Sequence, residues 1–103
     1  MNTKMQLIFT KEEISRVKEK IRQNGTKEVI VDLHGLTVKK AQRMLTNLIA
    51  IDREGYDILA IHGFNHGTAI KNMISEDLKS ARIAGKKSPS HNPGQTIISI
   101  QAA

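Results

Sequence analysis

The residues best suited to chemistry fall in two short stretches. "VDLHG" sets Asp32 two positions before His34 and Gly35, and "AIHGFNHGTAIKN" carries His62, Gly63, His66 and Gly67 ahead of a helix that should start near Thr68. An imidazole changes charge near neutral pH and can act as general acid or base, and a neighbouring carboxylate orients it. Asp32, His34 and His62 are therefore the candidate catalytic residues. On RNA they suit transesterification, in which one group removes the 2′-hydroxyl proton and another protonates the leaving oxygen. His34, oriented by Asp32, is assigned as the base and His62 as the acid, or the two reversed. A glycine-containing turn feeding a helix exposes backbone amides that suit a phosphate. Gly63, Gly67, Thr68 and Ala69 fall in that turn, and Lys71 adds a point charge. Phe64 is suited equally to stacking on a base or to packing in the core. His66 is a third proton donor, a stacking group or a bystander. Lys86 and Lys87 either touch backbone phosphates or are solvated turn charges, and His91 in "SPSHNPG" is not assigned to the site. Asp32, His34, His62 and His66 are also chemically able to hold a divalent metal that activates water, the alternative of a metal-dependent hydrolase. No HExxH-type spacing supports it, so no metal ligand is assigned and no cofactor is expected.

The elements that must position these residues follow from the pattern around them. A glycine after an apolar run, then a residue able to cap a helix, marks a sharp strand-to-helix turn, and the chain has two. "EVIVDLHG" reads as a strand, Thr37 caps a helix to about Glu54 with Val38, Ala41, Leu45 and Leu48 on one stripe, and residues 57–62 form a second strand. The helix from about Thr68 carries Ile70, Met73, Ile74, Leu78 and Ala81, its methionines being core filler. Residues 82–87 read as the strand preceding a turn-rich loop, and "QTIISIQ" is the last strand. Thr10 and Glu13 fit a capping box with Phe9 and Ile14 as staple, predicting a helix over about 10–23 ended by Asn24-Gly25, with Lys18 and Arg22 on its solvated face. Residues 1–25 are thus a leading helical extension and 26–103 an α/β domain, a two-layer sandwich with a βαβαββ mixed sheet. The strand, helix and strand fit a right-handed parallel crossover, so both His-Gly turns should share one sheet edge. Alternation predicts one wholly apolar face of Val29, Val31, Leu33, Leu59, Ile61, Ile98 and Ile100. On the other it predicts Asp32, His34 and His62, together with Ile58 and Ala60.

At 103 residues and without cysteine, the chain is one domain held by packing alone. Its apolar runs are far shorter than the roughly 20 residues that span a bilayer, and its first ten residues hold no signal-peptide core, so no membrane association and a cytoplasmic location are expected. The net charge of +6 favours polyanionic partners. It is shared, with six basic and three acidic residues in 1–25 and ten and seven in 26–103.

The pairing of "VDLHGLTVKKAQRML" with "AIHGFNHGTAIKNMI" resembles the Smr, or small MutS-related, domain family, over about residues 26–101. The resemblance implies an α/β sandwich similar to the C-terminal domain of a bacterial translation initiation factor. It also implies nucleic-acid binding, to RNA or DNA, and endonuclease activity on DNA or on messenger RNA at stalled ribosomes. The family's Asp-x-His maps onto Asp32 and His34, and its second motif onto His62, Gly63 and Gly67. That motif commonly reads His-Gly-x-Gly-x-Gly, whereas this chain has Phe64-Asn65-His66 before Gly67, and Lys71 is the nearest counterpart of a following basic residue. The rival reading is a module that binds nucleic acid or a ribosomal surface without cutting. Oligomeric state is not legible.

Overall fold

Thr10 Oγ1 accepts the Glu13 N–H and the Glu13 carboxylate accepts the Thr10 N–H, so the capping box forms as the sequence predicts. The helix it starts does not run to residue 23. The computed structural model, which describes residues 3–51, 53–63, 68–89 and 92–103, ends that helix after five residues. Helices α1 (Thr3–Ile8) and α2 (Lys11–Ser15) lead into strand β1 (Val17–Ile21). Asn24-Gly25 is a hairpin turn instead of a helix stop: Gly25 sits at φ +86°, and the Arg22 N–H donates to the Thr26 carbonyl across it. Glycine takes this left-handed conformation without steric cost, which is why Asn-Gly closes hairpins so readily. Val17 and Ile21, inside the span of the predicted helix, fall on β1 instead. Val17 faces the core while Ile21 stays exposed at the strand's end.

After the hairpin come β2 (Lys27–Asp32), α3 (Val38–Ile51), β3 (Tyr56–Ile61), α4 (Ala69–Asn72) continued by a π-helical turn (Met73–Asp77), β4 (Ile83–Lys87) and β5 (Gln95–Ile100). The five strands form one mixed sheet in the order β1-β2-β3-β5-β4. β2 and β3 are parallel, joined over α3, and every other pair is antiparallel. Residues 3–25 are built into this sheet and core: β1 pairs along β2, and Met5, Phe9 and Val17 are buried with the α/β residues. The α4 segment makes a single turn, and Ala81 lies beyond it, exposed.

Register corrects the expected faces. Val29 pairs with Ile58 and Val31 with Ala60, so Ile58 and Ala60 lie with Val29, Val31, Ile98 and Ile100 under the helices. Ile30, Asp32, Leu59 and Ile61 lie together on the other face, half-buried. One row crosses all five strands of this open face: Lys18, Ile30, Leu59, Ile97 and Lys87, each paired with the next. Four strand spacings make it about 19 Å long, aliphatic in the middle and cationic at both ends. In the neighbouring row Arg22 bridges Glu28 and Asp57, at 2.8 Å from the latter, and these carboxylates, Glu28 first, raise its pKa. Arg22 is a cross-strand clamp, and not the solvated helix charge that the sequence suggests.

Candidate active site

Both His-Gly turns sit at one edge of the sheet, as predicted, but they are offset by one residue. Asp32 pairs with Ile61, and beyond them the Leu33 N–H donates to the Ile61 carbonyl at 2.7 Å. Leu33 therefore stands level with His62, and His34 with Gly63. A Cβ added at Gly63 would lie 3.8 Å from the Cβ of His34. Because side chains alternate, a shift of one residue reverses the face. Leu33 is fully buried, and His62, its counterpart, is 7% exposed.

His62 is thus not on the Asp32 side, which overturns the expected shared face. Its Nε2 lies 2.9 Å from the buried hydroxyl of Thr96 and its Nδ1 2.8 Å from the Gly63 carbonyl. Both ring nitrogens are occupied by the fold itself. The ring stitches the end of β3 to β5, where the backbone amides of His62 and Gly63 both donate to the Gly94 carbonyl.

His34 is the opposite case. Its side chain is 67% exposed, and its Nδ1 contacts the Asp32 carboxylate, which also accepts the His34 N–H at 3.2 Å. With Asp32 accepting from Nδ1, the neutral ring carries its lone pair on Nε2, directed away from the carboxylate. The turn is shaped by Gly35 at φ +78° and Gly63 at φ +72°, left-handed positions where a side chain is strained. Arg16, which sequence reasoning placed inside a helix, secures it. Its Nη1 donates to the carbonyls of Asp32 and His34, both at 3.1 Å, while its Nε pairs with Glu12 at 2.7 Å. That hydrogen bond is the main reason the Glu12 carboxyl sits below its ordinary pKa. No motif marks Arg16. Its place became predictable only with β1, because the Asp32 N–H donates to the Arg16 carbonyl at the strand's start.

Asp32 and His34 border a cleft of about 430 Å³ on the open face. Ile30 and Ile61 line it from the sheet, Glu12, Ser15 and Arg16 from the α2 side, and Lys18 from the edge strand.

The remaining predicted residues separate into distinct places. Phe64, His66, Gly67 and His91 lie outside the described residues. Thr68 and Ala69 are exposed, but Thr68 makes no side-chain cap, and α4 widens into a π turn after four residues, so the expected helix-terminus phosphate cradle is at most one short turn. Lys71 lies half-buried in that turn. Lys86 is a structural group: its Nζ donates to the Leu78 carbonyl at 2.8 Å, and burial, with Lys79 nearby, pulls its pKa down. Lys87, by contrast, is exposed at the end of the open-face row. Among the described residues no three His, Asp or Glu side chains form a metal-binding group, and His62 lies on the opposite face from Asp32 and His34. No described helix is long and apolar enough to cross a membrane.

No protein-family model and no curated protein matches the chain. Among solved structures it is similar to the Smr domain of Thermus thermophilus MutS2, at 24% identity, covering 70% of this chain and 96% of that one with a TM-score of 0.59. The parallel β2-α3-β3 unit, the antiparallel strands beside it and the adjacent His-Gly turns accordingly make up an Smr-like α/β fold.

Proposed function

We propose that this domain binds nucleic acid and cleaves RNA, with His34 as general base. The observation that carries this reading is the Asp32–His34 pair: a carboxylate on Nδ1, a solvent-facing Nε2, and a cleft beside it with a lysine on its rim. His34 Nε2 takes the 2′-hydroxyl proton, the 2′-oxygen forms a bond to the adjacent phosphorus, and the bond from phosphorus to the 5′-oxygen breaks. The 5′-oxygen takes its proton from solvent, since His62 faces away. The products are a 2′,3′-cyclic phosphate and a 5′-hydroxyl. Asp32 holds the ring's tautomer and orientation. The net charge of +6 and the lysines at both ends of the open-face row support polyanion binding. Messenger RNA on stalled ribosomes is the substrate that the Smr resemblance suggests.

The test is incubation of end-labelled messenger RNA, free and on collided ribosomes, with wild type, His34→Ala and Asp32→Asn. Cleavage in EDTA that leaves cyclic phosphate ends and disappears in His34→Ala supports the reading. A His34→Ala protein that cuts like wild type overturns it, and cleavage that EDTA abolishes and one metal restores replaces it with hydrolysis. A single observation favours a second reading, a binding module that does not cut: only one of the two motif histidines faces the notch. Salt-sensitive binding on both substrates without any product selects that module.

A further inference from the structure

We infer that the cleft beside His34 is a subsite for one unpaired nucleobase; the inference rests on the RNA reading of the Asp32–His34 pair. The cleft's volume, about 430 Å³, is within the range of pockets that hold small ligands, roughly 300–1,000 Å³. Its composition is divided by position. Ile30 and Ile61 supply an aliphatic floor from neighbouring parallel strands, half-buried and facing away from the helix-covered core. The rim is polar and of both signs, with the Glu12 carboxylate and Ser15 hydroxyl from α2 and the Lys18 ammonium from β1.

A nucleobase has two apolar faces and a polar edge that both donates and accepts, so it satisfies floor and rim together. A phosphate alone leaves the isoleucines uncovered by anything apolar, and an aliphatic ligand leaves the Lys18 ammonium unanswered, Glu12 being paired with Arg16 and Ser15 donating to the Glu12 carbonyl. Lys18 has no ion-pair partner among the described residues, so it is available to a ligand, whereas Arg16 is engaged by Glu12 and by the carbonyls of Asp32 and His34. A base seated on Ile30 and Ile61 places its own sugar near His34, at the same end of the cleft. A paired base cannot enter, because its edge is already hydrogen-bonded and its faces are stacked.

The experiment is a titration of the full chain, carrying labelled isoleucine methyl groups, with adenosine 5′-monophosphate and separately with ribose 5-phosphate, read by NMR. The nucleotide should shift the Ile30 and Ile61 methyl signals through the ring current, saturably, while ribose 5-phosphate leaves them in place. Ser15→Trp, a substitution at an exposed position on the cleft wall, should abolish the shifts while the far-UV spectrum stays that of wild type. Silent methyls, equal responses to both ligands, or shifts that survive Ser15→Trp overturn the subsite. If RNA cleavage depends on His34 while the methyls stay silent, the subsite alone falls. If the methyls respond and no RNA is cut under any condition, base binding stands and the catalytic reading falls.

Discussion

His34→Ala and His62→Ala remove the same side chain from two Leu/Ile-His-Gly turns at one sheet edge, and they should have opposite consequences. His62 is 7% exposed and makes two hydrogen bonds, one to Thr96, itself 5% exposed. Each hydrogen bond is worth about 1 kcal/mol net, and an orphaned buried hydroxyl adds roughly 1–3 kcal/mol, so His62→Ala should cost about 3 kcal/mol. For a domain of this size that lowers the melting midpoint by roughly 12–24 °C. His34, with a 67% exposed side chain, loses only a surface pair with Asp32. Such pairs contribute about 0–1 kcal/mol, which moves the midpoint by at most about 4–8 °C. Activity should run the other way. Below both midpoints, His62→Ala should retain most RNA cleavage, while His34→Ala should lose about 10²–10⁴-fold, the usual contribution of a general base. Thermal unfolding followed by circular dichroism, with cleavage measured on the same preparations, reads both. A His62→Ala protein melting within about 2 °C of wild type refutes the placement of that ring, and so does His34→Ala melting as low as His62→Ala.

Three further outcomes follow from named contacts. The Glu12 pKa is lowered from 4.5, chiefly by the Arg16 hydrogen bond, so its contribution to stability is complete above about pH 4.5 and is lost as pH falls through the lowered value. The melting midpoint of wild type should therefore exceed that of Glu12→Gln at neutral pH, and the two should converge in acid. Glu13 is fully buried and its carboxylate is paired with Arg43 at 2.5 Å and with the Thr10 N–H, so Arg43→Ala should cost about 2–3 kcal/mol by urea denaturation, near the low end for broken buried pairs because Arg43 is half-exposed. Adding Glu13→Gln to Arg43→Ala should recover part of that loss. Lys18→Ala should weaken RNA binding and reduce the slope of log affinity against log salt by about 0.7, one phosphate contact on a single strand. An unchanged slope by fluorescence anisotropy removes Lys18 from the interface.

The elements and their order from residue 26 onward were legible, because each of β2, α3, β3 and β5 carries its own local pattern and Thr37 Oγ1 accepts the Lys40 N–H at the helix start, as a cap should. The relative phase of β2 and β3 was not. "ILAI" in β3 is apolar at every position, so alternation assigns no face, and the pairing of Val29 with Ile58 is a tertiary choice. One signal was present: Asp57 shares its parity with Leu59 and Ile61, and it pairs with Glu28, which shares its parity with Ile30 and Asp32. Reading polar residues as markers of the open face on both strands would have set His62 under the helices. The N-terminal segment misled for a different reason. A real capping box described the start of α2 correctly, and the helix was then carried across Arg16 to Asn24-Gly25, although "VKEKI-RQNG-TKEVIV" also carries the Asn-Gly hairpin signal.

That misread segment is what gives the notch its shape. Without β1 the Asp32 turn would lie at an open sheet edge, and its carbonyls would face only water. With β1 in place, the Arg16 carbonyl accepts the Asp32 N–H, and the same residue's guanidinium turns back onto the Asp32 and His34 carbonyls. A single residue at the junction of α2 and β1 thereby fixes both ends of the Asp-Leu-His segment from outside. The two His-Gly turns differ for the same topological reason. β3 is the central strand, and His62 falls between β2 and β5 where its ring can reach Thr96, whereas β2 lies one strand from the edge and His34 emerges beside the wall that α2 supplies. Identical dipeptides thus serve packing in one strand and an open site in the next, with a one-residue register offset selecting between them.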